Sequence, residues 1–416
     1  MIENKPNLLV LTSTFPRWEG DKEPPFVFEL SKRLTTHFNV HLLAPHSPNA
    51  QLKENIANIE ITRFKYFFIR FQTLAYNGGI LANLKRNPWL YLLVPLFILG
   101  ECISLYKLLK NKDFSVIHAH WIIPQGLVAI LVTRLMKKQI PIVCTSHGGD
   151  LYGLNSGLLK KLKIYVLNQV DKITVVSQAM KQEVLKLGIS EDKIEVISMG
   201  VDLQNTFIPN PHIQRTKKSI LFVGRLVEKK GLFYLLEAFE KIIKKYPESI
   251  LNIVGSGTDE IQLKQQIENL NINQKVRFLG AIENTQLPAL YQQHEIVVFP
   301  SIIGKDGDRE GFGLVLVEAL GCECAIIATD LPAMQDILTD QQNALIVPQK
   351  NIEELANKLE QLFEDAQLRE NLGKNGRNFV LQHYDWKIIA NRYNDLLSNL
   401  PIDCANCCPK KDHESS

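Results

Sequence analysis

The sequence predicts two doubly wound α/β domains in tandem, each a parallel sheet with helices on both faces. Three observations carry this. Short apolar runs alternate with helical patterns through most of the chain. The runs are continuously apolar, as strands buried on both faces require. The alternation then restarts after one irregular stretch, QNTFIPNPHIQRTKK (204–218), whose two prolines and basic end mark an interdomain linker.

In the first half the strand candidates are NLLVL (7–11), NVHLLA (39–44), IEITRF (59–64), SVIHAH (115–120), PIVCTS (141–146), KITVV (172–176) and IEVIS (194–198). In the second half they are SILFVG (219–224), ILNIVG (250–255), KVRFLG (275–280), IVVFPS (296–301), AIIATD (325–330) and ALIVP (344–348). Helical patterns lie between them. In LFYLLEAFEKII (232–243), Leu232, Leu235, Leu236, Phe239, Ile242 and Ile243 form one stripe at helical spacing. NIEELANKLEQLF follows the last strand, and a final helix is expected near 385–400. The expected organisation is a first domain over 1–205, a linker over 206–218 and a second domain over 219–384. The 385–400 helix packs back on the first domain, and 401–416 is a disordered tail.

Composition narrows the function classes. Apolar content of 45% and charged content of 22% are ordinary for a globular protein, and 416 residues allow a large core. The net charge of +3 is too small to favour nucleic acid as a partner. The seven cysteines are odd in number and scattered except near the end, which fits a reducing cytosol. The N-terminus MIENKPNLLVLTSTFP lacks a basic stretch followed by a long apolar one, so no signal peptide is expected. Cys404, Cys407, Cys408 and His413 are spaced irregularly, and no metal site is expected there.

One stretch has two open readings. WLYLLVPLFILG (89–100) is apolar, is interrupted by Pro95 and is too short to span a bilayer. It reads as a buried helix or as part of a surface that meets an anionic membrane. The second reading comes from the eight Lys/Arg and single Glu between 61 and 112, Arg63, Lys65, Arg70, Lys85 and Arg86 among them.

Ligands of open parallel sheets bind at the carboxyl ends of strands, so motifs placed there carry weight. GRLVEKKG (224–231) follows a strand and opens a helix. Arg225 offers a planar fork to phosphate oxygens and Lys230 a mobile point charge, although two solvated cations would look the same. VGSGTDE (254–260) has Glu260 where a dinucleotide fingerprint needs its third glycine. DREGFGLVLVEALG (308–321) is more specific. Its glycines uncover backbone N–H groups at a helix start, where an anion can approach. Glu310 precedes the helix, and Glu318 sits among Leu314, Val315, Leu316, Val317, Ala319 and Leu320, where a carboxylate needs a partner. Eight residues of helical rise span about 12 Å, comparable to the reach from sugar to ribose in a nucleotide-sugar. Carboxylates accept two hydroxyl hydrogen bonds each, which suits vicinal diols. His147 follows a strand in TSHGGD, and His118 and His120 end another in VIHAHW.

The E-x7-E pair Glu310/Glu318 around GFG, preceded by FPS and by the GR…KG loop, resembles the retaining glycosyltransferases of family 4. The resemblance runs from TSTFPRWEGDKEPPFVFELSKRL to the helix near Trp386. It implies the GT-B fold: two Rossmann-like domains facing a cleft, with a C-terminal helix that crosses back. It implies that Arg225 and Lys230 neutralise a donor diphosphate. Glu310 would contact donor-sugar hydroxyls, and Gly311, Phe312 and Gly313 would lie beneath sugar and phosphates. Glu318 would bind the ribose, and His147 would stand near the reaction centre. Gly20, in WEGDKEPP, lies where many relatives have a glycine pair close to the phosphates. His120 and Asp150 are placed on the acceptor side, while His118 is open between that and core packing.

The expected function is transfer of a hexose-type sugar, with retention, from a UDP- or GDP-sugar to an acceptor hydroxyl. The resemblance implies no obligate metal and no cofactor. The opening TSTFPRWEGD resembles enzymes of bacterial cell-surface polysaccharide assembly, which points to a saccharide or lipid-linked saccharide acceptor. The protein is then expected in the cytoplasm or on the inner face of the membrane. A sugar-nucleotide epimerase of the same fold and a non-catalytic nucleotide-sugar sensor are the alternatives.

Overall fold

In the computed structural model, which describes residues 5–400 apart from 19, 20, 22, 24, 77, 154–156 and 306, every one of those apolar runs is a strand. The expected tail 401–416, with its cysteines, lies outside the described residues.

The first sheet contains β1 (Asn7–Leu11), β2 (Asn39–Pro45), β3 (Lys53–Ile56), β4 (Ile59–Phe64), β5 (Val116–His120), β6 (Ile142–Ser146), β7 (Lys172–Val175) and β8 (Ile194–Val196). Its order is β3-β4-β2-β1-β5-β6-β7-β8. The second contains β9 (Thr216–Val223), β10 (Ile250–Val254), β11 (Val276–Gly280), β12 (His294–Phe299), β13 (Ala325–Thr329) and β14 (Leu345–Val347), in the order β11-β10-β9-β12-β13-β14. β9 thus begins inside the stretch read as linker. The second sheet is wholly parallel, but the first is mixed, because β3 runs antiparallel to β4. KENI has no apolar run, since an edge strand exposed on alternate positions needs none. It is held partly by Arg63 of β4, which is buried and reaches Glu54 at 2.5 Å. Arg63 therefore cannot serve as a surface cation.

The first half contains the helices α1 (Phe26–Leu34), α2 (Ile80–Arg86), α3 (Leu93–Asn111), α4 (Leu127–Leu135) and α5 (Gly149–Gly153). They are followed by α6 (Gly157–Gln169) and α7 (Gln178–Leu185). The second half adds α8 (Leu232–Lys245), α9 (Glu260–Asn269), α10 (Leu287–Gln293), α11 (Leu314–Gly321), α12 (Ile352–Glu364), α13 (Ala366–His383) and α14 (Trp386–Ser398). In α8, Leu232, Leu235, Leu236, Phe239 and Ile242 of the predicted stripe are buried, and Ile243 packs at its edge. Each such side chain contributes roughly 1.5–3 kcal/mol on burial. The α13 sequence carries Gly373 and Gly376, which weaken a helical pattern. Their purpose is close approach: a Cβ on Gly373 would stand 2.4 Å from Glu323 O, and one on Gly376 2.3 Å from Leu320 Cδ2.

The chain then returns. α14 packs Trp386, Ile389, Tyr393, Leu396 and Leu397 into the same cluster as Leu8, Val10, Leu30 and Leu34 of the first half. Asp385 caps it, accepting from Lys387 N–H at 2.9 Å, and Tyr393 donates to Ile197 O at 3.2 Å. Strand order reverses between β1 and β5 in one sheet and between β9 and β12 in the other. Those two switch points are where open sheets form ligand crevices.

Candidate active site

Loops at the carboxyl ends of the two sheets meet, one of them leaving β6 beside the first switch point. After β6 the chain makes a left-handed turn at Gly148 (φ +99°) and enters α5. A Cβ on Gly148 would lie 3.3 Å from Gly311 Cα, so both glycines are needed for this approach. Ser177, the N-cap of α7, fastens the contact by donating from Oγ to Gly311 O at 2.7 Å. Arg309 adds an ion pair to Glu183 at 3.0 Å and lies 4.4 Å from the centre of the Tyr152 ring.

On the second sheet, Gly224 and Arg225 leave β9, and a short turn, Glu228–Lys230, leads to α8. Gly231 (φ +66°) is forced: a Cβ there would stand 1.8 Å from Pro300 O, in the chain leaving β12. Hence the β9 and β12 loops are pressed together. Lys230 forms an ion pair with Glu310, and Lys229 one with Asp308 at 3.0 Å. Arg225 is exposed. Burial pushes the Glu310 carboxyl up, but Lys230, then Lys229 and Arg225, outweigh it and hold it down at about 2. The pair of glycines in VGSG serves this loop as well. A Cβ on Gly255 would meet Gly224 O at 1.9 Å, and one on Gly257 would meet Leu226 O at 2.1 Å. Close backbone packing thus accounts for the G-x-G.

Glu310 and Glu318 are in contrasting surroundings. Gly313 (φ +96°) is the N-cap, and α11 begins only at Leu314. The helical-rise estimate therefore fails for the first part of the span. Glu318 is buried; its Oε2 accepts from Tyr291 OH at 3.1 Å and its Oε1 from Asn284 Nδ2 at 3.3 Å. Among the described residues its hydrogen-bond donors are these two neutral groups. Burial pushes this carboxyl up to about 7 against those two hydrogen bonds. Phe312 turns inward, buried against Tyr384 at 5.2 Å between ring centres.

Three histidines line the end of β5 and β6. His147 is half-buried, and its Nε2 lies 3.0 Å from Nδ1 of the buried His120, the rings stacked within 11°. Trp121 and Phe26 flank His147, each at 4.9 Å between ring centres. Burial, then His118, pulls the His147 imidazole down to about 3, and His120 is likewise depressed, so both rings are neutral. His118 is a core residue: it is fully buried, bonds Thr145 Oγ1 at 2.7 Å and packs on Tyr393. Asp150 is also internal. It accepts from Ile122 N–H and from Ser146 Oγ, both at 2.7 Å, and so holds the turn after Trp121. Trp121 itself has φ +80°, a strained backbone for a bulky residue and one often found at functional sites.

The structure thus brings His147, Gly311, Glu310 and Lys230 to one place, with Arg225 near Glu310. Gly20 lies outside the described residues. Ser177, Asn284, Tyr291, Phe26 and Trp121 were not singled out from the sequence. Of these only Trp121 carried a signal, its position directly after the strand VIHAH.

Two family models match the chain. The one described as Glycosyltransferase Family 4 matches residues 25–205, and the one described as Glycosyl transferases group 1 matches residues 204–379. Among curated relatives, the phosphatidyl-myo-inositol mannosyltransferase of Mycobacterium tuberculosis is 29% identical over 381 residues, covering 88% of this chain and 90% of its own. The N-acetyl-alpha-D-glucosaminyl L-malate synthase of Bacillus anthracis is 23% identical, with 75% and 82% covered. Among solved structures, sucrose-phosphate synthase from Thermosynechococcus elongatus has a TM-score of 0.76 at 21% identity, covering 95% of this chain and 99% of its own. A protein of Anabaena solved with UDP and glucose has a TM-score of 0.72 at 18% identity, covering 95% and 100%. Both share the two-sheet architecture.

Proposed function

This chain belongs to the family 4 glycosyltransferases, its two family models together spanning residues 25–379, and from that premise we propose that it moves a hexose-type sugar from a UDP- or GDP-sugar to an acceptor hydroxyl with retention of configuration. The observation that carries the reading is the Lys230–Glu310 ion pair, set at the β9 and β12 ends against the His147–Gly148 loop.

The residues take these roles. Arg225 and Lys230 meet the donor diphosphate, and Lys230 exchanges its Glu310 partner for phosphate as the donor enters. Glu310, released, accepts from the sugar hydroxyls. Glu318 accepts from the ribose diol, replacing the neutral donors Tyr291 and Asn284 in part. The backbone of Gly311 to Gly313 runs beneath sugar and phosphates, and Gly20 keeps only the phosphate role that the resemblance implies for it. Stabilising the departing diphosphate is the main electrostatic task, and the two cations perform it.

The acceptor oxygen attacks the anomeric carbon on the face the phosphate leaves. The bond from that carbon to the phosphate oxygen breaks, and the acceptor proton passes to the departing oxygen. His147 stays neutral and orients the sugar. If its Nε2 accepts from His120 Nδ1–H, then its own Nδ1–H is the donor that faces the sugar. Asp150 positions this acceptor-side wall through Ile122. The acceptor is a saccharide or lipid-linked saccharide, which supports a role in polysaccharide assembly.

A thermal-shift screen of UDP-, GDP- and ADP-sugars tests the donor. A true donor at a hundred times its dissociation constant should add about 2.7 kcal/mol of stability. Transfer to a model acceptor should then give the α product by NMR. Inversion, or stabilisation with no turnover on any acceptor, contradicts the proposal.

A further inference from the structure

Helix α3 and the chain before it leave a broad apolar face uncovered. Phe68, Trp89, Tyr91, Leu92, Leu99 and Ile103 are exposed by 72, 79, 60, 69, 55 and 47%. They come from the turns at Ile69–Phe71 and Pro88–Leu92 and their borders, and from α3. The other side of α3 is committed. Phe97, Leu105 and Leu109 are at most 1% exposed and belong to the core beneath the first sheet. A Cβ on Gly100 would lie 2.7 Å from Lys65 O, so the helix is pressed onto the chain below it.

Pro88–Asn111 is long and apolar enough to cross a membrane. Crossing would pull Phe97, Leu105 and Leu109 out of the core. A helix fixed along one side and bare along the other lies on an apolar surface instead.

Charge identifies that surface. Lys65, Arg70, Lys85, Arg86, Lys107 and Lys110 are exposed on the same segment. Glu101, the single acid between 61 and 112, is fully buried. A second copy of this face would bring like charges together. Anionic headgroups over acyl chains satisfy both the cations and the apolar side chains. The face also borders the site: Leu81 of α2 would lie 3.2 Å from a Cβ on Gly153, at the end of α5, and α5 directly follows His147 and Gly148.

We propose that this face docks the protein on an anionic phospholipid bilayer, with the α5 edge of the site turned toward the lipid surface. The second clause rests on the transferase reading, under which the acceptor is carried on a lipid.

Flotation of the full chain with phosphatidylcholine vesicles, with and without phosphatidylglycerol, tests docking alone. Binding to the anionic vesicles should be roughly tenfold stronger or more, and should fall as salt rises. Combining Lys65→Gln, Arg70→Gln and Arg86→Gln should abolish that preference. Trp89→Ser with Leu92→Ser should weaken binding at every salt concentration. All five positions are exposed, so melting temperatures should hold, and the salt series on the unaltered protein stands without the variants. Equal binding to both vesicles, or none, overturns the proposal, as does a stable self-associated species that leaves vesicles unbound. The assay needs neither donor nor acceptor, so loss of transfer activity cannot be mistaken for loss of docking.

Discussion

Lys230 is ion-paired to Glu310, the very acid proposed to meet the donor sugar. Each residue therefore neutralises the other, and under the proposed roles donor binding separates them. Lys230→Ala should leave the Glu310 carboxylate to the weaker influence of Lys229 and Arg225. Breaking a buried pair costs about 3–5 kcal/mol, and these side chains are 13% and 17% exposed, so a loss of about 1–3 kcal/mol is expected. Urea unfolding measures it, and titration with the free nucleoside diphosphate should show weakened binding in the same variant. Arg225→Ala should weaken that binding too, with little change in stability, because Arg225 is exposed.

Glu318 should make stability depend on pH. Its folded value near 7 lies above its ordinary 4.5, so between the two the folded chain holds a proton that the unfolded chain has lost. The contribution is fully present below about 4.5 and is lost as pH rises through about 7, by up to about 3 kcal/mol. Unfolding at pH 5, 7 and 9, compared with Glu318→Gln, isolates it; the variant should flatten the profile. Because ribose hydroxyls favour the carboxylate, nucleoside diphosphate binding near pH 6.5 should also release a proton, read as a buffer-dependent heat.

His147→Ala should lower turnover on the order of a hundredfold while nucleoside diphosphate affinity holds, if the ring takes the proposed role of orienting sugar without touching phosphate. Its depressed value means that the rate should show no inflection from this histidine above pH 5. A large fall in melting temperature, with the folded remainder fully active, would return His147 to a packing role beside Trp121 and Phe26.

Gly231→Ala should be severe. The new Cβ would overlap Pro300 O, which is backbone and cannot swing away, at a φ that also strains alanine. Beyond about 1–2 kcal/mol of backbone strain, the β9 and β12 loops must part. Loss of diphosphate binding at temperatures where the protein stays folded is the expected result.

Much of this was legible in the residues. Strands buried on both faces announce themselves as unbroken apolar runs, and β1 and β9 are examples. The edge strand β3 was not, because KENI is half exposed and depends on Arg63 of its neighbour. That pairing also removed Arg63 from the basic surface, a fact invisible without the fold. Glu310, Glu318 and His147 stood out because each follows a strand or interrupts an apolar run. Their partners did not. Tyr291 lies 27 residues from Glu318, in a helix whose pattern looks ordinary, and Ser177 reaches Gly311 across 134 residues. The glycines of VGSG looked like a ligand fingerprint, but they serve the packing of one loop on another.

The central claim is that the two acids hold opposite ends of one donor. Titration calorimetry with free nucleoside diphosphate, beside steady-state kinetics with the intact nucleotide-sugar, tests it in Glu310→Gln and Glu318→Gln. Charge-assisted hydrogen bonds are worth roughly 1.5–3 kcal/mol, so Glu318→Gln should weaken the diphosphate about tenfold or more. Glu310→Gln frees Lys230 for phosphate, so diphosphate binding should hold or tighten while transfer slows. If Glu310→Gln weakens the free diphosphate as much as Glu318→Gln does, the assignment of one acid to each end is wrong.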